Sequence, residues 1–187
     1  MSDMAVLTPR TFTVAEYHRI AEAGLFDDER VELLDGIIVA MSPIGPRHWR
    51  RHGLVVKYLN EQISDLAFVV GNGSFPLGDR NEPEPDVALI APVAAEAERI
   101  PTPEEIFAMI EVAESSLPKD VGPKARLYAR FGIPDYLVVD LKANIVLHYT
   151  EPHELGYGRC EQLTHGATFR LVRLPDRELT IDAFLAP

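Results

Sequence analysis

The pattern of polar and apolar positions near the N-terminus predicts a helix followed by a β-hairpin. The helix begins at Thr13, where Glu16 completes a capping box, and ends before Gly24, a residue type that favours helix C-termini. The Asp35–Gly36 pair then separates two runs of high β-propensity, RVELL and IIVAM, which is a strong short-range signal for a hairpin. We therefore expect a helix–hairpin unit ahead of the main sheet.

Two further helices are expected, each with one inward face. One begins at Pro46, a residue suited to the first helical turn, and ends at about Ser64. Its core-facing positions are expected to be Leu54, Tyr58 and Ile63. The other helix is DVGPKARLYARFG, with Asp120 as its N-cap. Four positions at helical spacing form its inward face, namely Lys124, Leu127, Tyr128 and Phe131.

Short apolar runs between and after these helices predict strands. The central runs are LAFVVG, SFPLG, PDVALIA, FAMIEVAESS and IPDYLVVDL, and terminal β structure is expected in NIVLHYTEP, RCEQLTHGATFRL and RELTIDAFL. Residues 92–105, rich in proline, glutamate and alanine, predict a surface loop with one helical turn. The order strand, strand, helix, strand in the middle indicates one α/β domain over residues 1–187, with a mixed sheet flanked by helices and extended by C-terminal β elements.

Composition and charge narrow the class of protein. Of the 187 residues, 47% are hydrophobic and 25% are charged, which is typical of a folded globular domain. The 29 acidic and 18 basic side chains give a net charge of −11, which argues against a protein that coats nucleic acid. A single cysteine, Cys160, allows no internal disulfide, and neither a secretory signal nor a membrane-spanning apolar run is visible. We therefore expect a cytoplasmic protein without a membrane partner.

The candidate chemistry centres on a carboxylate within an apolar strand. Glu111 lies in the run FAMIEVA, and burying an unpaired carboxylate is costly. Asp86 begins another apolar strand. If the two strands are neighbours, the like charges raise the pKa of one carboxylate unless a cation lies between them. Lys124 points from its helix at the same sheet, although a lysine stem that reaches out to water is the simpler interpretation of that residue alone. Together the three residues fit two carboxylates that hold a hard divalent ion and a lysine that stabilises charge developing on a phosphate.

These residues carry a resemblance to a known nuclease superfamily. Pro85–Asp86, Ile110–Val112 and the downstream Lys124 resemble the PD-(D/E)XK pattern. More closely, the chain resembles the bacterial Uma-type family of restriction endonucleases, through RVELLDGIIVAMSP, EPDVALI, IEVAESS, DVGPKARLY and GIPDYLVVD in that order. The similar region runs roughly from Thr13 to Asp140, so it covers most of the chain.

The resemblance implies a restriction-endonuclease-like core and metal-dependent cleavage of phosphodiester bonds, with DNA as the expected substrate. Asp86 and Glu111 would bind magnesium or manganese, and Lys124 would assist the attacking water. The family pattern also includes a glutamate and a histidine that correspond to Glu32 and His48. The chain departs from the superfamily at Ala113, where a nuclease lysine normally stands, and Lys124 would be its replacement.

One segment, PRHWRRHGLVVK, is an exception to the acidic balance. Four basic side chains around Trp49 could contact a phosphate backbone: Arg47, Arg50, Arg51 and Lys57. The alternative is a solvated helix start in which Trp49 packs into the core.

Two other functions stay open on the sequence alone. A nuclease-fold protein that no longer cuts, acting as an interaction or assembly module, is favoured by the acidic surface and by Ala113. An unrelated metal-binding hydrolase would instead act on a small phosphate or ester. In each case a homodimer is a plausible expectation, because terminal β structure offers strand edges for pairing.

Overall fold

A computed structural model of the protein describes residues 9–97 and 99–185. The strands are β1 Val31–Leu34, β2 Ile37–Ala40, β3 Phe68–Gly71, β4 Val87–Ile90, β5 Ile106–Ala113, β6 Asp135–Asp140, β7 Ile145–His153, β8 Gly156–Leu163, β9 Thr168–Leu171 and β10 Leu174–Thr180. The α-helices are α1 Val14–Glu22, α2 Pro46–Ile63, α3 Pro92–Glu96, α4 Leu117–Lys119 and α5 Ala125–Arg130. A π-helical turn, Asp120–Lys124, joins α4 to α5, and 3-10 turns lie at Gly78–Arg80, Pro103–Glu105 and Ile181–Phe184.

The central sheet has six strands in the order β3-β4-β5-β6-β7-β8. Strands β5 and β6 run parallel, and the other neighbouring pairs in this sheet are antiparallel. The parallel pair needs a crossover connection, which the helical segment 117–130 supplies. Two small antiparallel sheets, β1–β2 and β9–β10, stand beside this core. The predicted α/β fold with a mixed sheet, an N-terminal helix–hairpin and C-terminal β elements is thus confirmed.

The local signals at the N-terminal helix and hairpin are confirmed. Thr13 caps α1, with Glu16 completing the capping box, and Gly24 follows the helix with a φ of 80°. Asp35 and Gly36 both have positive φ, 50° and 76°, as a tight hairpin turn requires. A Cβ at Gly36 would lie 2.6 Å from a Thr11 side-chain atom. Both the positive φ and this close approach therefore favour glycine at position 36.

Apolar side chains cover both faces of the central sheet. On one face, alternate residues of β4 and β5 pack against Val55, Leu59 and Ile63 of α2 and against the β9–β10 hairpin. On the other face, the helical segment 117–130 contributes Leu127 and Tyr128. The alternation of each strand therefore decides which helix its side chains meet.

Helix α2 differs from the prediction in its buried face. The buried positions are Arg51, Val55, Leu59 and Ile63, whereas Leu54 is partly exposed. The predicted inward positions Leu54 and Tyr58 are thus each replaced by the next residue, Val55 and Leu59, whereas Ile63 is buried as predicted. With 18 residues α2 is the longest helix described, and none of the helices within residues 9–97 and 99–185 has the length and apolar character needed to cross a membrane.

The predicted strand SFPLG is absent. Its backbone instead forms a loop in which the Phe75 N–H donates to Pro83 O at 3.0 Å and the Leu77 N–H donates to Asn81 O at 2.8 Å. Phe75 and Leu77 are both buried, so the apolar residues of this run serve a packed loop. Pro76 cannot donate to a strand ladder, which also disfavours a central strand here.

The prediction that Asp120 caps a helix was wrong. The helical segment begins earlier, at Leu117 with Ser116 as N-cap, and Asp120 lies inside it as a buried residue. The π-helical turn follows from Pro123, which lacks the N–H that a regular α-helix would use at that position. This turn sets the directions of the polar side chains in the segment.

Candidate active site

A pocket of about 60 Å³ lies beside the carboxyl end of β5. Its walls come from the first turn of α2, the residue before β4, the end of β5 and the helical segment 117–130. Eight of its lining side chains are ionisable: Arg30, His48, Asp86, Glu111, Glu114, Lys119, Asp120 and Lys124.

The pairing of β4 with β5 places Asp86 beside Glu111. The two strands are antiparallel with Val87 opposite Ile110, so the residue before β4 comes opposite Glu111. The Asp86 carboxylate also accepts a hydrogen bond of 2.7 Å from the backbone N–H of Val112. Carboxylates from adjacent strands therefore line the same pocket.

Lys124 lies between two buried carboxylates. Its ammonium is 2.7 Å from Glu111 Oε1 and 3.0 Å from Glu32 Oε2, and the side chain is only 1% exposed. Burial alone would lower the pKa of Lys124, but Glu111 and Glu32 outweigh burial and raise it above its ordinary value. Lys124 thus remains charged at the base of the pocket and does not extend to solvent.

Glu32 is fully buried and holds two lysines. Its carboxylate accepts a hydrogen bond of 2.6 Å from Lys119, in addition to the Lys124 contact, and one of 3.2 Å from the Glu84 backbone N–H. Burial raises the pKa of Glu32, but Lys124 and Lys119 together bring it below its ordinary value. The hairpin β1–β2 therefore contributes an ionised carboxylate to the network behind the pocket.

His48 lies against Asp86 from the first turn of α2. With its Nε2 protonated, the imidazole donates to Asp86 Oδ2 at 3.1 Å. This hydrogen bond raises the pKa of His48. Burial raises the pKa of Asp86, but the hydrogen bonds that Asp86 accepts from His48 and from the Val112 N–H hold it below its ordinary value. One turn later, His52 Nε2 lies 2.9 Å from the backbone oxygen of Asp86. Both histidines therefore fix the position of Asp86.

Glu111 has the opposite electrostatic behaviour. Burial raises its pKa well above the usual range, Lys124 offsets only part of that effect, and Asp86 and Asp120 raise it further. Tyr128 donates a hydrogen bond of 3.2 Å to the same oxygen that contacts Lys124. Additional positive charge in the pocket would therefore favour the ionised form of Glu111.

Four ionisable residues of the pocket were not predicted from the sequence: Arg30, Glu114, Lys119 and Asp120. Lys119 and Asp120 lie in the helical segment 117–130. The signal that could have indicated them is Pro123 within a helical pattern, because a proline there forces a local irregularity. The π-helical turn changes the usual angular spacing, and Lys119 and Lys124, five residues apart, both reach Glu32. Ordinary α-helical spacing does not predict this convergence.

The basic segment at the start of α2 is only partly available to a ligand. Arg50 and Lys57 are exposed, and Arg47 is exposed with contacts to Glu114 and to the backbone oxygen of Leu141. The interpretation of Arg51 as a phosphate contact was wrong, because its side chain is buried. The Arg51 guanidinium donates to the backbone oxygens of residues 183 and 185, which fixes the C-terminal turn.

Trp49 faces solvent and is 72% exposed, so it does not pack into the core. An exposed aromatic ring beside exposed arginines is a feature that nucleic-acid bases or sugars can contact. The surface formed by Arg47, Trp49, Arg50 and Lys57 is called the α2 basic surface below.

The pocket contains more negative than positive charge. The charged groups in the pocket lining and directly behind it are five carboxylates and three cations. The carboxylates are those of Glu32, Asp86, Glu111, Glu114 and Asp120, and the cations are Arg30, Lys119 and Lys124. When all of these carboxylates are ionised and His48 is neutral, the net charge of the group is −2, which a single divalent cation would compensate.

Asp86 and Glu111, from neighbouring strands, are the lining carboxylates that could hold such a cation. Within residues 9–97 and 99–185, no three His, Cys, Asp or Glu side chains converge closely enough to enclose a metal ion by themselves. Magnesium is commonly bound through one or two carboxylates while it keeps several waters, so a two-carboxylate site fits this class of ion. The oxygen donors also favour magnesium or manganese over softer metals.

Comparison with known proteins agrees with the fold and identifies the family. The crystal structure of a protein from Anabaena variabilis described as a "putative nuclease belonging to DUF820" superimposes with a TM-score of 0.74 at 16% sequence identity, covering 94% of this chain and 98% of that chain. No curated protein matches the sequence significantly. The model of the family Uma2, described as "Putative restriction endonuclease", matches residues 14–182. The chain therefore belongs to the Uma2 family of restriction-endonuclease-like proteins.

Proposed function

We propose that the protein is a metal-dependent endonuclease that hydrolyses phosphodiester bonds, with DNA as substrate. The observation that carries the proposal is the buried Glu32–Lys124–Glu111 network beside Asp86, in a pocket with two uncompensated negative charges. Membership of a restriction-endonuclease-like family supports nuclease chemistry, and divalent cations are general in that class. The contacts of the named residues support the roles proposed for them below.

Asp86 and Glu111 would hold magnesium or manganese. When bound, the cation would supply positive charge to the scissile phosphate and lower the pKa of a coordinated water. His48 keeps Asp86 ionised and oriented through the 3.1 Å hydrogen bond, so it acts as a positioning residue.

Lys124 would stabilise the negative charge that develops when a water oxygen attacks phosphorus. In that step the attacking water forms a new P–O bond and gives up a proton to solvent, while one P–O ester bond breaks and the leaving oxygen takes up a proton from solvent. Glu32 fixes Lys124 and Lys119 through contacts of 3.0 and 2.6 Å, which preorganises both ammonium groups.

The α2 basic surface would contact the nucleic-acid backbone next to the pocket. His48 lines the pocket and belongs to the same helical turn as Arg47 and Trp49, so a strand that contacts this surface would pass the pocket mouth. The overall charge of −11 opposes strong non-specific binding, so affinity should depend on the cation as well as on these side chains. A homodimer stays a prediction.

The test is cleavage of supercoiled plasmid DNA with magnesium, manganese or a chelator. We expect metal-dependent nicking by the wild type and a loss of at least about 100-fold in Asp86→Asn, Glu111→Gln and Lys124→Met, the size typical for removing a group that stabilises the transition state. Glu178→Gln is the matched control and should cut normally. Glu178 is an exposed carboxylate on β10 that is paired with Arg170 of β9. Cleavage that persists in Asp86→Asn or resists the chelator would refute the assignment.

A second candidate is a nuclease-fold interaction module that does not cut. It is favoured by the partners that three pocket carboxylates already have: Lys124 for Glu111, His48 for Asp86, and both lysines for Glu32. Under this alternative the folded wild type neither binds manganese in calorimetry nor nicks plasmid.

A further inference from the structure

Asp120 is the carboxylate of the pocket without a protein donor. Its side chain is 1% exposed, it lines the pocket, and neither carboxylate oxygen has a hydrogen-bond partner within residues 9–97 and 99–185. The neighbouring Ser116 hydroxyl partly offsets the effect of burial but completes no hydrogen bond of normal geometry. The Asp120 backbone oxygen accepts a hydrogen bond of 3.0 Å from Tyr136, which holds this turn in place.

The other pocket carboxylates differ from Asp120 in this respect. Glu32 accepts hydrogen bonds from Lys119 and from a backbone N–H, Glu111 contacts Lys124, and Asp86 accepts from His48 and a backbone N–H. Asp120 is therefore the pocket carboxylate that no hydrogen bond neutralises within the described residues. Burial raises the pKa of Asp120 to about 6, so its ionised form at higher pH weakens the fold.

A structural role does not account for such a residue. Asp120 does not cap the helix, since Ser116 occupies that position, and it forms no close ion pair with any residue that the structure describes. A buried polar group without a partner lowers the stability of the fold, and a bound ion or water that interacts with it is a common reason for its presence.

We propose that Asp120 is a third anionic group of the cation site, which binds the divalent ion through hydrogen bonds from the water ligands of that ion. The inference rests on the proposed metal-dependent function and assigns to Asp120 a role in binding affinity. A direct bond is not proposed, because no three acidic, histidine or cysteine side chains converge within the described part of the chain. Magnesium and manganese retain water ligands at two-carboxylate sites, and carboxylates that accept from such waters commonly control affinity.

The experiment is calorimetric titration of manganese alone into the metal-free full chain at pH 8, with melting temperatures measured on the same samples. Asp120→Asn should bind manganese at least about tenfold more weakly than wild type, the usual effect of removing a group that supports metal ligands. Metal-free Asp120→Asn should melt at a temperature equal to or above that of wild type, because an uncompensated charge is removed. Asp120→Ala removes the side chain entirely and should show the same loss of affinity.

Glu114→Gln is the matched control. It removes one negative charge from the same pocket lining, but from a carboxylate that is about one third exposed and already paired with Arg47 at 3.3 Å. Its effect on manganese affinity should stay below about threefold, as expected for a screened surface charge.

The outcomes separate this inference from the proposed function. Manganese binding by wild type that is unchanged in both Asp120 variants would overturn the role of Asp120 and leave the Asp86–Glu111 site standing. A wild type that binds no manganese would overturn both. Weaker binding in the Asp120 variants, with an undiminished melting temperature, is the result that the structure predicts.

Discussion

Replacing Lys124 by methionine removes the central charge of the network while roughly preserving side-chain volume. Lys124, Glu32 and Glu111 are at most 6% exposed in their side chains, so the variant leaves two carboxylates buried without their shared cation. Breaking a buried ion pair by removing one partner costs about 3–5 kcal/mol. Lys119 still contacts Glu32, which places the expected cost near the lower end of that range.

The loss should be visible in urea unfolding and in thermal melting. For a chain of this size a loss of about 3 kcal/mol lowers the melting temperature by roughly 6–12 °C. Because the pKa of Glu111 is raised, its protonation relieves the variant in acid, so the destabilisation should be larger at pH 8 than at pH 5. The double variant Lys124→Met/Glu111→Gln should recover part of the lost stability.

The matched control is Lys57→Met, an exposed lysine 3.7 Å from Glu61 on the surface of α2. Its effect on the free energy of unfolding should stay within about 0.5 kcal/mol. If Lys124→Met costs less than about 1 kcal/mol at pH 8, the argument that this lysine neutralises two buried carboxylates is refuted.

Three further predictions concern other residues of the pocket and α2. Arg51→Met should lower the free energy of unfolding, measured in urea, by about 1–3 kcal/mol, because it leaves buried backbone oxygens without a donor. Replacement of the exposed neighbour, Arg50→Met, should leave stability unchanged and weaken DNA binding in a filter assay. The imidazole of His48 should titrate above its ordinary pKa by NMR, and the Asp86→Asn variant should bring that pKa down. Asp120→Asn should stabilise the metal-free fold by up to about 3 kcal/mol above pH 6, and this gain should vanish below about pH 4. The reason is that the raised pKa of Asp120 in the folded state lowers stability only at a pH where the carboxyl is ionised in the unfolded state. A gain that stays constant across pH would contradict this reasoning.

The parts of the fold that depend on local chemistry were predictable from sequence. The Thr13–Glu16 capping box and the Asp35–Gly36 turn use backbone groups within a few residues, so the residue types alone identify them. The inward direction of Lys124 also follows from helical spacing, because Lys124 and Leu127 are both buried.

Features set by the tertiary arrangement of a segment were not predictable in the same way. SFPLG alternates like a strand, but its hydrogen bonds go to Asn81 and Pro83 in a loop that closes on itself. Arg51 occupies a helix position that periodicity cannot distinguish from a surface arginine, and the carbonyl groups that make it structural lie more than 130 residues away.

The candidate site was predictable in part. The expectation that Asp86 and Glu111 could be neighbours required the pairing of β4 with β5, which no single-chain pattern fixes. Lys119 and Asp120 escaped notice because a π-helical turn around Pro123 changes the spacing of the segment.

The most direct test of the metal site is a crystal of the wild type soaked in manganese and measured for anomalous scattering. We expect one strong anomalous peak between the carboxylates of Asp86 and Glu111, with Lys124 still bound to Glu32, and no such peak in Asp86→Asn. A peak elsewhere in the molecule, or an intact pocket without one at saturating manganese, would show that these carboxylates do not form a cation site.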